Sequence, residues 1–245
     1  MSASAQRSRD HGGKSAPPSP WRLPALLLLI GFSLLLLFLA GRLLLAGVSA
    51  WQAEDFLKDW NRLGRVPSER AWEVAHEAAQ RSVFLFPGAN GEYYDRLGRI
   101  LEARQAQLPL GAKEAEASRR AALEAYREAT RARPLWPYSW TQIAYVKLRL
   151  LEFDQEFDQA YARSFELAPW RIQSNALLAE IALRAWPSLD EPQRAQGREA
   201  MRRSVDWSRR EARQLNRLAV NLGMQWIFCA ALEDEQKQRN RICQA

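Results

Sequence analysis

The stretch 122–140, Ala-Leu-Glu-Ala-Tyr-Arg-Glu-Ala-Thr-Arg-Ala-Arg-Pro-Leu-Trp-Pro-Tyr-Ser-Trp, decides how this chain folds. Up to Ala132 it is built from strong helix formers, and Pro134 ends the run because its ring blocks further helix. Ala122, Tyr126, Ala129 and Pro134 stand at offsets 0, 4, 7 and 12. The first three share one helix face: a small residue lets a neighbouring helix approach, an aromatic ring fills the next turn, and a second small residue follows. Six residues after Pro134, Trp140 opens another segment of helical period. The spacing therefore predicts helices that stop, turn tightly and restart against one another.

The same register continues on both sides. Upstream, Tyr94, Leu97, Gly98 and Leu101 follow the pattern W-x2-L-G-x2-Y with conservative changes, and Ala75, Ala79 and Pro87 supply an earlier second-helix pattern whose partner spans 51–61. Downstream, Trp140 and Ala144 begin a unit that ends at Pro169, 35 residues beyond Pro134, and Asn175 and Ala179 repeat their offsets. Over 51–208 this resembles an array of tetratricopeptide repeats, whose period is about 34 residues. The resemblance implies an all-α helical-hairpin solenoid with a concave recognition surface. Two departures stand out: about thirteen extra residues around 102–117, and one extra residue in the third unit, which also lacks alanine at its crossing position. The pattern becomes atypical after 208, as expected of a C-terminal helical cap over 209–245.

No strand-like alternation occurs, and breaks at Pro67, Pro87-Gly88, 109–111, Pro134, Pro169, Pro187 and Gly223 predict helices of 12 to 20 residues. Ser68, Asn90 and Ser188 stand at expected N-caps. Ser188 with Glu191 reads as a capping box, with Pro192 in the first turn.

Before this region lies a leucine-rich run of nineteen uncharged residues, 23–41. At about 1.5 Å per residue it suffices for a hydrocarbon core about 30 Å thick. Residues 21–50 are therefore expected to form a transmembrane helix, with Trp21 and Trp51 as interfacial anchors and Arg42 snorkelling at one end. Residues 1–20, rich in Ser, Gly, Pro and Arg, are expected to be a disordered tail. Arg7, Arg9, Lys14 and Arg22 precede the run, against Asp10, while Glu54 and Asp55 follow it. Positive charge stays inside, so the tail reads as cytoplasmic and the remainder as translocated. A cleaved signal is the other reading, with 48–50 as its small-residue site, but the apolar stretch exceeds the usual 7 to 15 residues.

The net charge is +7, and residues 1–50 hold five Lys/Arg against one acid, so most of the excess belongs to the anchor. A nucleic-acid partner is therefore not expected. The two cysteines, Cys229 and Cys243, match neither a CxxC pair nor a zinc set. In an oxidising compartment they are candidates for a disulfide that pins the chain end; two unrelated thiols are the alternative.

Catalytic chemistry is sparse. His11 lies in the tail and His76, followed by Glu77, belongs to no HExxH motif; Gly88 and Gly91 form no phosphate loop. No catalytic residue, cofactor or metal site is expected. The acidic run Glu152-Phe153-Asp154-Gln155-Glu156-Phe157-Asp158-Gln159 reads as a solvated face opposite a packed phenylalanine face. Arginines recur every four residues at Arg194, Arg198, Arg202 and again at Arg209, Arg213, Arg217; the second triplet is a candidate recognition stripe, with intrahelical pairing the competing account. Among ten tryptophans, Trp140 and Trp170 are expected to pack, whereas Trp136 and Tyr138, in the turn, are candidate recognition residues.

The anchor, the turns 133–140 (Arg-Pro-Leu-Trp-Pro-Tyr-Ser-Trp) and 167–170 (Leu-Ala-Pro-Trp), and the C-terminal cysteines together resemble VpsP-type proteins of bacterial exopolysaccharide clusters. That resemblance implies an inner-membrane, single-pass protein with its bulk in the periplasm, serving polysaccharide synthesis or export. The expected function is a non-enzymatic scaffold for membrane-embedded or periplasmic proteins of that machinery. A module that binds anionic polysaccharide directly, through the turn aromatics and arginine stripes, is the alternative.

Overall fold

The computed structural model describes residues 21–64 and 66–243, so the expected tail 1–20, with His11, lies outside the described residues. These residues form eleven α-helices and no strand: α1 (Arg22–Leu63), α2 (Glu69–Leu85), α3 (Gly91–Ala103), α4 (Glu116–Ala132), α5 (Pro137–Leu150), α6 (Gln155–Leu167), α7 (Ile172–Ala185), α8 (Glu191–Trp207), α9 (Arg209–Asn221), α10 (Gln225–Ala231) and α11 (Asp234–Asn240). The chain divides into two compact units, Met1–Gly41 and Arg42–Ala245.

In the first unit, the part of α1 before residue 42 is apolar all round, with Leu26 through Ile30 and Leu34 through Leu37 exposed. A helix without a polar face is either buried in protein or dissolved in lipid. α1 is, among the described residues, the one helix long and apolar enough to cross a membrane.

In the second unit, sequential helices pack as neighbours from α2 to α9, and α5 on α7, α6 on α8 and α7 on α9 pack across one intervening helix. One apolar core runs from Ala53 to Ile242. Residues 42–50, assigned from sequence to the span, contribute buried Ala46, Ser49 and Ala50 to this unit. Alanine and glycine set the helix spacing. A Cβ on Gly98 would fall 2.6 Å from the Tyr126 ring, and one on Gly197 2.5 Å from Ala182 Cβ, so only glycine admits either neighbour.

The helix ends follow their caps. Ser68 accepts from the Ala71 amide, and Asn90 from those of Glu92 and Tyr93. The expected box at Ser188 is corrected by two residues: 186–188 form a 3-10 turn, and Asp190 caps α8 in a reciprocal box with Gln193. Pro187 pushes the start of α8 past Ser188, and Asp190 is the better cap because its carboxylate meets the positive end of the helix.

The extra residues between α3 and α4 form a loop fastened by two arginines. Arg119, 1% exposed, donates from Nη1 to the Arg149 carbonyl (2.7 Å) and from Nη2 to those of Leu108 (2.9 Å) and Pro109 (2.8 Å). Arg149 Nη2 in turn donates to the carbonyls of Gln105 (3.0 Å) and Ala106 (3.1 Å). The insertion thus finds its backbone acceptors partners that no helix or sheet supplies.

Candidate functional site

A cleft of about 700 Å³ opens in the second unit where α1, α3, α5 and α7 each present a face. Its floor is ionic. Arg96 on α3 lies almost buried, donating from Nε to Glu54 of α1 (2.9 Å) and from Nη2 to Glu92 one turn earlier (2.9 Å). Arg99 adds a longer contact to the same Glu54 carboxylate, 3.4 Å. Nη1 of Arg96 is buried with no hydrogen-bond partner, so the guanidinium holds an unused donor.

Asp95 sits beside these arginines and accepts from Ser139 Oγ of α5 at 3.0 Å. Burial raises its carboxyl above the ordinary aspartate value, against the opposing pull of Arg99, then of the Ser139 hydrogen bond. The wall is aromatic: Trp136 and Tyr138 stand 5.2 Å apart, with the Arg133 guanidinium 4.2 Å from the Trp136 ring and that of Arg171 at 5.8 Å. Both rings are half-buried, more enclosed than their turn position implied. Because guanidinium already lies against Trp136, that ring is not a bare platform.

The cleft combines fixed cations, carboxylates and two aromatic edges. That combination suits a peptide segment with mixed polar and apolar side chains. Among the described residues, no group of three or more His, Cys, Asp and Glu is arranged to hold a metal ion. Sequence reading located Trp136 and Tyr138 but passed over Glu54, Asp95, Arg96 and Arg99. Glu92, Arg96 and Arg99 at four- and three-residue spacing were the available signal for a charged face on α3.

The other singled-out residues lie elsewhere. Arg209, Arg213 and Arg217 form an exposed stripe on α9, whereas the first triplet is engaged: Arg194 donates to the Trp186 carbonyl, Arg198 pairs with Glu191, and Arg202 binds both Glu199 and the Ala231 carbonyl. Cys229 and Cys243 are bonded to one another, their Cα atoms 5.7 Å apart. His76 stacks on Trp72 at 4.7 Å; burial, then the nearby Arg104, lower its basicity.

One expectation is corrected and one is extended. Trp170, expected to cover the core, is 86% exposed, because α6 ends at Leu167 and the Pro169-Trp170 turn projects outward. The acidic run keeps Asp154, Gln155, Asp158 and Gln159 exposed while Phe157 is buried and Phe153 packs on it, and three of its carboxylates have a further task, Asp154 also capping α6. Glu152 (3.2 Å), Asp154 (2.5 Å) and Glu156 (3.0 Å) converge on the ammonium of Lys147, which is almost wholly buried. The cluster is the counter-charge that lets α5 bury a lysine.

The chain matches no protein-family model and no curated protein.

Proposed function

We propose that this protein is a single-pass, membrane-anchored scaffold whose helices over 51–208 form a tetratricopeptide-like array, and that the cleft holds a segment of a partner protein. One observation carries the proposal: the cleft is lined by alternate helices, α1, α3, α5 and α7, the set that faces inward when helical hairpins stack side by side. The packing of α5 on α7 and α7 on α9, and the Gly98–Tyr126 close approach at the matching pattern positions, support the same arrangement.

The anchor raises the local concentration of partners in or near the same membrane, so the cleft need not bind tightly. The disulfide is consistent with an oxidising compartment, and hence with a periplasmic bulk and a cytoplasmic N-terminus in a bacterial inner membrane. The reading extends to polysaccharide synthesis or export through the turn motifs that suggested it. Direct glycan binding is less favoured, because Arg133 lies against the Trp136 face on which a sugar would stack.

The test is co-purification of the detergent-solubilised full chain with membrane proteins of the polysaccharide machinery. Partners should be retained by the wild type and lost in Arg99→Glu. Failure of Arg99→Glu to reduce retention, or retention on acidic polysaccharide that Trp136→Ala abolishes, would overturn the reading. Topology is checked separately: a reporter active only in the periplasm should work when fused after Ala245.

A further inference from the structure

On the reading that the cleft holds a partner segment, we infer that this segment is acidic and that Arg133 and Arg171 grip one of its side-chain carboxylates beside Trp136. Hydrogen-bond capacity around the cleft is unequal. Its carboxylates are already engaged: Glu54 accepts from Arg96 and Arg99, Glu92 from Arg96, and Asp95 from Ser139. Its donors are not. Among the described residues, the guanidiniums of Arg133 and Arg171 have no acceptor, Arg99 has only its 3.4 Å contact, and buried Arg96 keeps Nη1 unused.

Arg133 is fixed without any acceptor. α4 stops at Ala132; the Arg133 amide donates back to the Ala129 carbonyl (2.9 Å) and its own carbonyl accepts from the Trp136 amide (3.0 Å), so the turn sets its backbone. Its stem then lies over Gly91, where a Cβ would fall 2.6 Å from Arg133 Cδ, and its head rests on the Trp136 ring. Little side-chain freedom is left to lose on binding. Arg171 comes from the next turn, immediately before α7, and is exposed. With guanidinium carbons 4.2 and 5.8 Å from one ring centre, the two cations lie within about 10 Å of each other, where like charges repel. A carboxylate shared between them replaces that repulsion with charge-assisted hydrogen bonds.

A peptide suits the rest of the cleft better than a sugar polymer does. The Trp136 face is occupied by Arg133, whereas Gln142 and Gln173, in the same lining, carry side-chain amides with no hydrogen-bond partner among the described residues. Each amide offers one acceptor and two donors, which an extended peptide backbone can match on either side of its acidic residue.

The experiment immobilises the detergent-solubilised full chain and selects from a pool of randomised decapeptides with amidated C-termini. Aspartate and glutamate should be enriched among the bound peptides. A selected peptide should bind roughly tenfold more weakly to Arg133→Gln, and as much more weakly to the wild type once its acidic residue is replaced by the amide. Arg171→Gln, at an exposed side chain that the fold does not need, should weaken binding in the same direction, and Arg213→Gln on α9 should leave it unchanged. Peptides selected without acidic enrichment, and lost in Arg99→Glu, would overturn the carboxylate grip and leave the cleft a peptide site. Acidic peptides that Arg213→Gln releases and Arg133→Gln does not would overturn it in favour of α9. A parallel pool with free C-termini that is bound without internal acidic residues would give the arginines to a chain end instead. Polygalacturonate bound through Arg133 while no peptide is enriched would give them to an acidic polysaccharide. Nothing enriched on the wild type above blank resin would overturn the peptide reading of the cleft and the grip together.

Discussion

Replacing Arg119 with methionine tests whether buried arginines hold the loops of this chain. The methionine keeps most of the apolar stem but removes every donor. Three carbonyls, those of Arg149, Leu108 and Pro109, lose hydrogen bonds of 2.7 to 2.9 Å; those of Arg149 and Pro109 keep backbone donors, Gly111 N at 2.9 Å and Ala112 N at 3.3 Å, while that of Leu108 does not. A buried acceptor left unpaired costs about 1–3 kcal/mol. Two gains oppose this loss: the desolvation of the guanidinium disappears, and Leu108 and Pro109 lie in a loop that can partly open to water. Burial, then the charge of Arg149, push the Arg119 guanidinium below its usual basicity, a sign that its desolvation is substantial. The net expectation is a loss of about 1–3 kcal/mol, set by the Leu108 carbonyl left unpaired beside two weakened neighbours. Denaturant unfolding of the full chain in detergent, followed by tryptophan fluorescence, measures it, and amide exchange across 104–115 localises it. Arg131→Met, at an exposed pair with Glu128, is the control and should stay within about 0.5 kcal/mol. A cost for Arg119→Met no larger than the control, or unchanged exchange in 104–115, would refute the reasoning.

Gly98→Val forces a side chain into the Tyr126 ring and should cost about 1–3 kcal/mol by thermal unfolding; a neutral effect would mean that α3 and α4 part without penalty. Glu156 is held below the ordinary glutamate value by its hydrogen bonds from Arg127, against burial, with Lys147 helping. A lowered carboxylate contributes stability above its unfolded value and loses it as pH falls through the folded value. Glu156→Gln should therefore be less stable than wild type at pH 7, with the gap closing by about pH 2; a gap that persists in acid would be inconsistent. Cys229→Ser should lower stability by roughly 3 kcal/mol, as for closure of a loop of about 15 residues, and reduction of the wild type should match it. A denaturation midpoint insensitive to reductant would show that the bond constrains nothing.

Helix positions were readable from sequence because proline and glycine are local signals. α4 ends beside Pro134, α5 begins at Pro137, α6 ends before Pro169, and Ser68 and Asn90 cap as their side chains dictate. Ser188 misled because two acceptable caps lie two residues apart, and the 3-10 turn at 186–188 with the Asp190–Gln193 box decides for the second. The acidic run was legible as a solvated face opposite packed phenylalanine; what its period could not show is that Glu152, Asp154 and Glu156 also bind Lys147, which comes from the preceding helix. Half of the cleft was missed on the same ground. Glu54 meets Arg96 across 42 residues, and no pattern within one helix specifies that encounter.

Arginine is where composition and structure diverge most. A chain rich in arginine invites a search for an anionic ligand, yet Arg42, Arg119, Arg149, Arg194 and Arg202 all donate to backbone carbonyls at helix ends or in loops. The physical reason lies in the core. Alanine and glycine bring these helices close together, which leaves little room for polar side chains between them, so carbonyls at the turns must be reached from a distance. A long side chain with five donors spread over a plane can serve carbonyls that lie apart, whereas lysine's three donors share one nitrogen. Arginines spent in this way are unavailable for recognition. The exposed stripe Arg209, Arg213, Arg217 and the cleft pair Arg99 and Arg133 are not among them, and a charge reversal at Arg99 will distinguish the cleft from the stripe: it should weaken partner binding, whereas Arg213→Glu should not.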